Sequence, residues 1–200
     1  MMEKRTIKKS IAQTAYNIGF GGKKHFLTYD IYRVFPRLIS ILTTIIGVFQ
    51  LSIWYESINN DKGKDFFSIS IIAIGIIGLV LDLISDNKEK YNLAGRELLD
   101  YFNELRDMYN LIDNDVSDEI LQSTEQRRKE IVIEAKHISI SNQAILTHWL
   151  TNISFFKSMQ SQWIVKELDL KFKDKYPFLH FETIIFILIF ILVVKFLLCF

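Results

Sequence analysis

Small and polar side chains recur at helical spacing inside two otherwise greasy stretches. In the first, Ser40, Thr44, Gly47, Gln50 and Trp54 step by four, three, three and four. In the second, Gly75, Gly78, Asp82 and Ser85 step by three, four and three, with Ser68 on the same face. A helix returns to one face every three or four residues, so each set is a single stripe on an Ile/Leu/Phe rod. Two uses fit such a stripe. Small residues let helices approach closely and hydroxyls bond across the gap, so the stripe can pack helix on helix. Alternatively it lines water when several copies assemble. Asp82 carries the same two alternatives. It ends its span near the boundary, or it forms an acidic ring at an inner pore mouth that favours cations. Counted from Phe66 it lies about 24 Å along the helix. A carboxylate costs less there than the roughly 2.5–3.5 kcal/mol of mid-depth.

Other chemistry is poorly represented. His25, His137, His148 and His180 have no metal spacing. His137 and His148 share a helix face but sit about 16 Å apart, too far for one ion. There is no HExxH, CxxC or GxSxG, and Cys199 is the single cysteine. "GFGGKK" (19–24) has no Ser or Thr after the lysine and no strand before it, so it does not read as a phosphate loop. Glu97, Asp100, Glu104 and Asp107 fall at helix spacing and read as a solvated face. The Asn152–Ile153–Ser154 sequon lies in a segment expected to be cytoplasmic and reads as chance. The expectation is a protein with no catalytic residues, metal or cofactor, and no direct nucleic-acid binding. The net charge of +1 gives no sign of the last.

The elements that must position the stripes are membrane spans. Leu38–Tyr55 is 18 residues without a charge, and Phe66–Leu81 is 16. A ten-residue loop, Glu56–Asp65, joins them. At about 1.5 Å per residue such rods approach the roughly 30 Å of a bilayer core. A third apolar run, Thr183–Phe200, is broken only by Lys195. Lys195 is expected to snorkel outward or meet the terminal carboxylate, in the leaflet opposite Asp82. The fold class expected is an all-α membrane protein. It has four parts: basic amphipathic N-terminal helices over 1–37, a transmembrane hairpin over 38–85, a cytoplasmic helical hairpin over 86–177, and a third transmembrane helix over 178–200.

Basic residues set the orientation. Segment 1–37 carries eight lysines and arginines against Glu3 and Asp30, whereas the loop has only Lys62 and Lys64 with three acids. The positive-inside rule places the N-terminus and 86–182 in the cytoplasm, with the hairpin tip and Phe200 outside. The first 30 residues lack an apolar signal-peptide core. Residues 3–18 read as an amphipathic helix with Ile7, Ile11, Ala15 and Ile18 on one face. It is expected to be broken by Gly19, Gly21 and Gly22, and to lie flat on lipid or pack on the cytoplasmic body.

After the second span the pattern becomes heptad. Tyr91, Leu98, Leu105 and Ile112 recur every seven residues, joined by Phe102 and Tyr109. Ser123 with Gln126 reads as the capping box of a second helix. Ile131, Ile138, Ile145, Asn152 and Met159 then form one register, and Ala135, Asn142, Trp149, Phe156 and Trp163 the other. The seam through Leu98, Phe102, Leu105, Ile131, Ile138 and Ile145 is expected to hold an αα-hairpin together or to join copies of the chain.

This layout resembles the SLATT family, two-span effector domains of bacterial conflict systems. "FGGKKHFLTYDIYRVFPRL" (20–38), the hairpin 38–85 and "YNLAGRELLDYF" (91–102) carry the resemblance, which covers about residues 5–175. The third span departs from a bare two-span unit. The resemblance implies a pore-forming effector of the bacterial inner membrane, acting on phage infection as a homo-oligomer. It also implies a separately encoded sensor or nucleotide-producing enzyme as trigger. The other expectation is a non-conducting anchor whose cytoplasmic hairpin docks a partner protein.

Overall fold

The computed structural model describes residues 2–56, 61–84, 87–112, 116–144, 147–175, and 184, 187 and 188. These residues are helical or irregular, with no strand among them. The helices are α1 (Met2–Gln50), α2 (Ile53–Glu56), α3 (Asp61–Ile84), α4 (Glu89–Leu111), α5 (Asp118–Ile138), α6 (Thr147–Ser158), α7 (Gln162–Glu167) and α8 (Phe172–Lys175). The expected third span falls outside the described residues except at 184, 187 and 188. Two units divide the chain. A helical body takes α1 up to Thr28 together with Glu89–Ile185, and a hairpin unit takes Tyr29–Lys88 together with Phe186–Phe200.

The body has a conventional interior. Ile11, Ala15 and Ile18 of α1 pack with Leu98, Phe102, Leu105 and Met108 of α4, Ile131 and Ala135 of α5, and Phe155 and Ile164 beyond. The apolar face of the N-terminal segment is thus spent inside the body and does not lie on lipid. Aromatic rings fill the far end. Phe155 stands edge-on to Tyr16 at 5.6 Å and to Phe102 at 6.3 Å. Such tilted pairs suit the ring quadrupole.

The structure corrects three expectations. First, α1 is continuous through Gly19, Gly21 and Gly22, and none of these glycines has positive φ. They make room and do not turn the chain. A Cβ on Gly19 would sit 2.5 Å from Phe102 Cδ2, and one on Gly22 would sit 3.2 Å from Leu98 Cβ. Gly95 on α4 is overlain in turn by the Phe26 ring. The helix also runs through Pro36, which has no amide to donate to the turn before it.

Second, α5 is capped six residues before the predicted cap. Ser117 is the N-cap, its Oγ accepting from the Ile120 amide, with Asp118 and Glu119 in the first turn. Ser123 lies inside the helix and donates to the Ile120 carbonyl at 3.0 Å.

Third, the long second helix is interrupted after Ile138. The backbone groups of the connector 139–144 find partners on distant helices. The Ile140 amide donates to His25 Nε2 at 3.0 Å, and the Ala144 amide to Thr28 Oγ1 at 3.4 Å. The Tyr91 hydroxyl donates to the Asn142 carbonyl. With those partners available, the run Ser139–Gln143 has no need of helical bonds.

Polar clamps finish the body. Arg127 of α5 forks onto Glu104 of α4, with Nε to Oε1 at 2.7 Å and Nη2 to Oε2 at 3.1 Å, and also reaches Glu134 at 3.2 Å. Glu104, expected on a solvated face, therefore joins two helices. Arg128 pairs with Glu125 and donates to Thr14 Oγ1 of α1 at 3.0 Å.

Candidate functional site

The hairpin unit shows the opposite character. In the most apolar window of α1 no residue is buried, and in that of α3 only 6% are. A core helix of a water-soluble protein would be mostly covered. Leu51, Leu79 and Leu83 are 88%, 68% and 74% exposed. Lipid or further protein must cover these rods, because water would not tolerate so much contiguous apolar surface. Together with the helices' length and composition, this makes the chain a membrane protein.

The two spans meet at two places. At the loop end, Gln50 Nε2 donates to Ser68 Oγ at 3.1 Å. Ser68 Oγ donates onward to the Lys64 carbonyl at 2.9 Å, which also accepts from the Tyr55 hydroxyl at 3.1 Å. Lys64 Nζ closes the ring of contacts on the Glu56 carbonyl at 3.2 Å. This clasp satisfies polar groups that hydrocarbon would leave unpaired. At the other end, Gly78 is buried, and a Cβ there would fall 2.6 Å from Ile39 Cγ2. That is close helix–helix packing through a small residue.

Beside Gly78 the spans part into a groove of about 660 Å³. Its lining includes Ser40, Gly75, Gly78 and Asp82 from the predicted stripes, joined by Arg37, Thr43 and apolar side chains. Gly75 has nothing within 4 Å of where a Cβ would stand, so the groove is open there. Thr43 Oγ1 donates to the Ile39 and Ser40 carbonyls at 2.9 and 3.0 Å. Thr44 donates to the Ser40 carbonyl at 2.8 Å, and Gly47 has no neighbour within 4 Å. Thr44 and Gly47 thus do not join the groove. Ser85, the last member of the second stripe, lies outside the described residues.

Sequence reasoning missed Arg37, Thr43 and the Tyr55 clasp. Thr43 is adjacent to the predicted stripe, and a step of three from Ser40 would have included it. The sequence presents Arg37 only as a topology signal. It presents Tyr55 only as the end of the first apolar run, although a place one residue before the loop puts it within reach of the second span.

The predicted seam residues Leu98, Phe102, Leu105 and Ile131 are at most 2% exposed, all inside the body of one chain. Ile138 is half-buried against the same core, and Ile145 lies outside the described residues. His25 is 1% exposed. The Gly21 carbonyl can only accept, so at 2.7 Å Nδ1 must carry the proton, which leaves Nε2 to receive the Ile140 amide. Burial lowers its pKa, and Lys24 lowers it further against the raising effect of the Gly21 bond. The Tyr109 phenol is pushed up to about 12 by burial and by its bond to Glu167. Among the described residues no group of three His, Cys, Asp or Glu could hold a metal ion.

Comparison with known families adds an identity. The family model of the SMODS and SLOG-associating 2TM effector domain 6 matches residues 2–185. No curated protein and no solved structure matches the chain. The match spans most of the sequence, and the chain belongs to this family of two-span helical effector domains.

Proposed function

We propose that this effector permeabilises the inner membrane of a bacterium during conflict with a phage, by membrane action and without catalysis. Copies assemble through their hairpins so that the polar grooves together enclose a water path. Ser40, Gly75 and Asp82 face that path, Gly78 holds the spans together beside it, and Gln50 and Ser68 latch its outer end. The N-terminus and residues 86–182 stand in the cytoplasm, within reach of a separately encoded sensor or nucleotide-producing enzyme that triggers opening.

One observation carries this reading. A groove containing two hydroxyl side chains, a carboxylate and a guanidinium lies on a hairpin whose outer surface is otherwise mostly apolar. An anchor with no further task would need only aliphatic rods, because polar groups at membrane depth are expensive.

The test is the reversal potential across planar bilayers under a salt gradient, for the partner-activated wild type and Asp82→Asn. Removing one negative charge per subunit from a ring is expected to lower cation preference in a constricted path. Unchanged selectivity, or no conductance from inserted and activated protein, favours the non-conducting anchor.

A further inference from the structure

We propose that the body binds a small phosphate-bearing molecule with a planar apolar group, in a cleft between α1, α4 and the end of α6. The cleft encloses about 390 Å³, in the range of small-molecule sites. Its long wall is one face of α4, supplied by Leu99, Phe102, Asn103 and Arg106 at helical spacing. Lys23 and Phe26 of α1 form the opposite side, and Met159 closes one end.

The charge of this cleft is unbalanced. Lys23 and Arg106 both line it, and no Asp or Glu is among the lining residues. Lys23 is half-buried and has no carboxylate partner among the described residues. Among the described residues Arg106 pairs only with its chain neighbour Asp107, at 3.9 Å, whose side chain is 72% exposed. A partly desolvated cation without a close counter-ion loses hydration and gains little in return. An anion in the cleft would restore that loss twice over. Two other arginines of the body are matched at closer range: Arg127 meets Glu104 at 2.7 Å and Arg128 meets Glu125 at 2.6 Å.

The remaining groups narrow the ligand class. A guanidinium fork and an ammonium suit the several oxygens of a phosphate. Phe26 is half-buried on the wall, and its ring with Met159 offers an apolar surface to a flat group above the buried Phe102. The Asn103 amide can both donate and accept at an edge. "GFGGKK" is thus no phosphate loop, yet its first lysine stands at an anion-ready cleft. Gly19 and Gly22 let α1 approach α4 closely enough for Lys23 to share the cleft with Arg106. The cleft belongs to the body alone, and its binding does not depend on whether the hairpin conducts.

The test uses the full chain in nanodiscs, with phenyl phosphate and inorganic phosphate as probes and binding read by calorimetry. Phenyl phosphate is expected to bind saturably, about tenfold or more tighter than inorganic phosphate, because only it uses the rings. Lys23→Gln and Arg106→Gln are each expected to weaken it about tenfold, the worth of one charge-assisted contact. Their unliganded melting temperatures should match wild type, which separates lost binding from lost folding. Lys136→Gln, outside the cleft, should bind as wild type does. The anion could come free in solution or as a lipid headgroup. Competition by phosphatidylglycerol nanodiscs but not phosphatidylcholine nanodiscs would assign a headgroup, and no competition a soluble ligand. Absence of saturable binding in every arm, or equal binding by the Lys23→Gln/Arg106→Gln double variant, overturns the proposal.

Discussion

The helical body and the membrane hairpin are built from neighbouring stretches of one helix, yet they solve opposite problems. Up to Thr28, α1 spends its apolar face on a core in which Ile11, Leu105 and Phe155 are fully buried. From Tyr29 on, the helix leaves most of its apolar surface outward, while Ser40, Thr43 and Gln50 stand on the side of α3. The same residue type therefore changes meaning along one helix. Gly19 is a gap filled by the Phe102 ring, whereas Gly47 faces open space. A buried apolar side chain stabilises the body through removal from water, while in lipid the gain between helices comes from fit and hydrogen bonds.

The sharpest break of this contrast is Leu105→Asp. Leu105 is 0% exposed at the centre of the body. A buried carboxylate there loses the leucine packing and its own hydration, together about 4 kcal/mol or more. That approaches the whole stability of a typical domain, about 5–15 kcal/mol. The body is expected to lose its cooperative melt and its near-UV signal while the hairpin still inserts. A normal melt would show that the seam is not the core.

A smaller effect comes from matched glycines. Gly19→Ala brings a methyl to 2.5 Å from Phe102 Cδ2 and 3.1 Å from Phe155 Cε2, both on rings held by their neighbours. Overpacking of this kind costs about 1–3 kcal/mol, against up to about 1 kcal/mol gained in helix propensity. The net expectation is a lower melting temperature for the body. Gly47→Ala should leave it unchanged. Equal melting of the two variants would erase the distinction between a packed and an open glycine.

These two positions also show where sequence legibility ends. Both glycines sit in the same helix, and spacing alone cannot tell which meets a neighbour. The heptad through Leu98 and Leu105 was readable because an apolar period of seven puts every member on one stripe of a helix. The interruption after Ile138 was not. Its cause lies in His25 and Thr28, more than 110 residues earlier, whose side chains take up the connector's amides. The cap at Ser117 was hidden in the polar run "DNDVSD" (113–118), which sets several capping residue types side by side. In the spans, the stripes were legible as stripes. Their division into a clasp at Gln50–Ser68, a packed point at Gly78 and a groove at Ser40–Asp82 depends on how α1 rotates against α3, which periodicity does not encode.

His25 makes the body, but not the hairpin, sensitive to acid. The fold keeps its imidazole neutral, because both ring nitrogens are committed and burial opposes charge. Lys24 on α1 and Tyr91 on α4 face it, Gln143 on the connector is neutral, and no carboxylate acts on it among the described residues. Its folded pKa therefore lies below the unfolded value near 6.5, an ordinary histidine's. Above about pH 6.5 the imidazole is neutral in both states and this contribution is fully present. As pH falls from there toward the depressed folded pKa, the unfolded chain takes up a proton that the native chain refuses, and stability drops. Chemical denaturation between about pH 7.5 and 5 should show a falling midpoint for wild type and a flatter one for His25→Gln. A parallel fall in both would clear His25 of the effect.

The smallest expected effect is in the hairpin, where the contrast is most specific. If the Gln50–Ser68 bond at 3.1 Å clasps the spans, the two side chains must be energetically coupled. Interhelical hydrogen bonds in bilayers average only about 0.6 kcal/mol in double-mutant cycles, since the separated helices find other partners. Gln50→Leu and Ser68→Ala should therefore each loosen the hairpin slightly, and the double variant should cost less than their sum by about that amount. Tyr55→Phe, which removes a hydroxyl 3.3 Å from Ser68 Oγ, should weaken the coupling without abolishing it. The reading is a cysteine cross-linking or steric-trap measurement of span separation in nanodiscs. Strict additivity of Gln50→Leu and Ser68→Ala would mean that Gln50 does not hold Ser68 in the membrane. Gln50 would then be free for the water path, and that path would extend from the groove to the loop end of the hairpin.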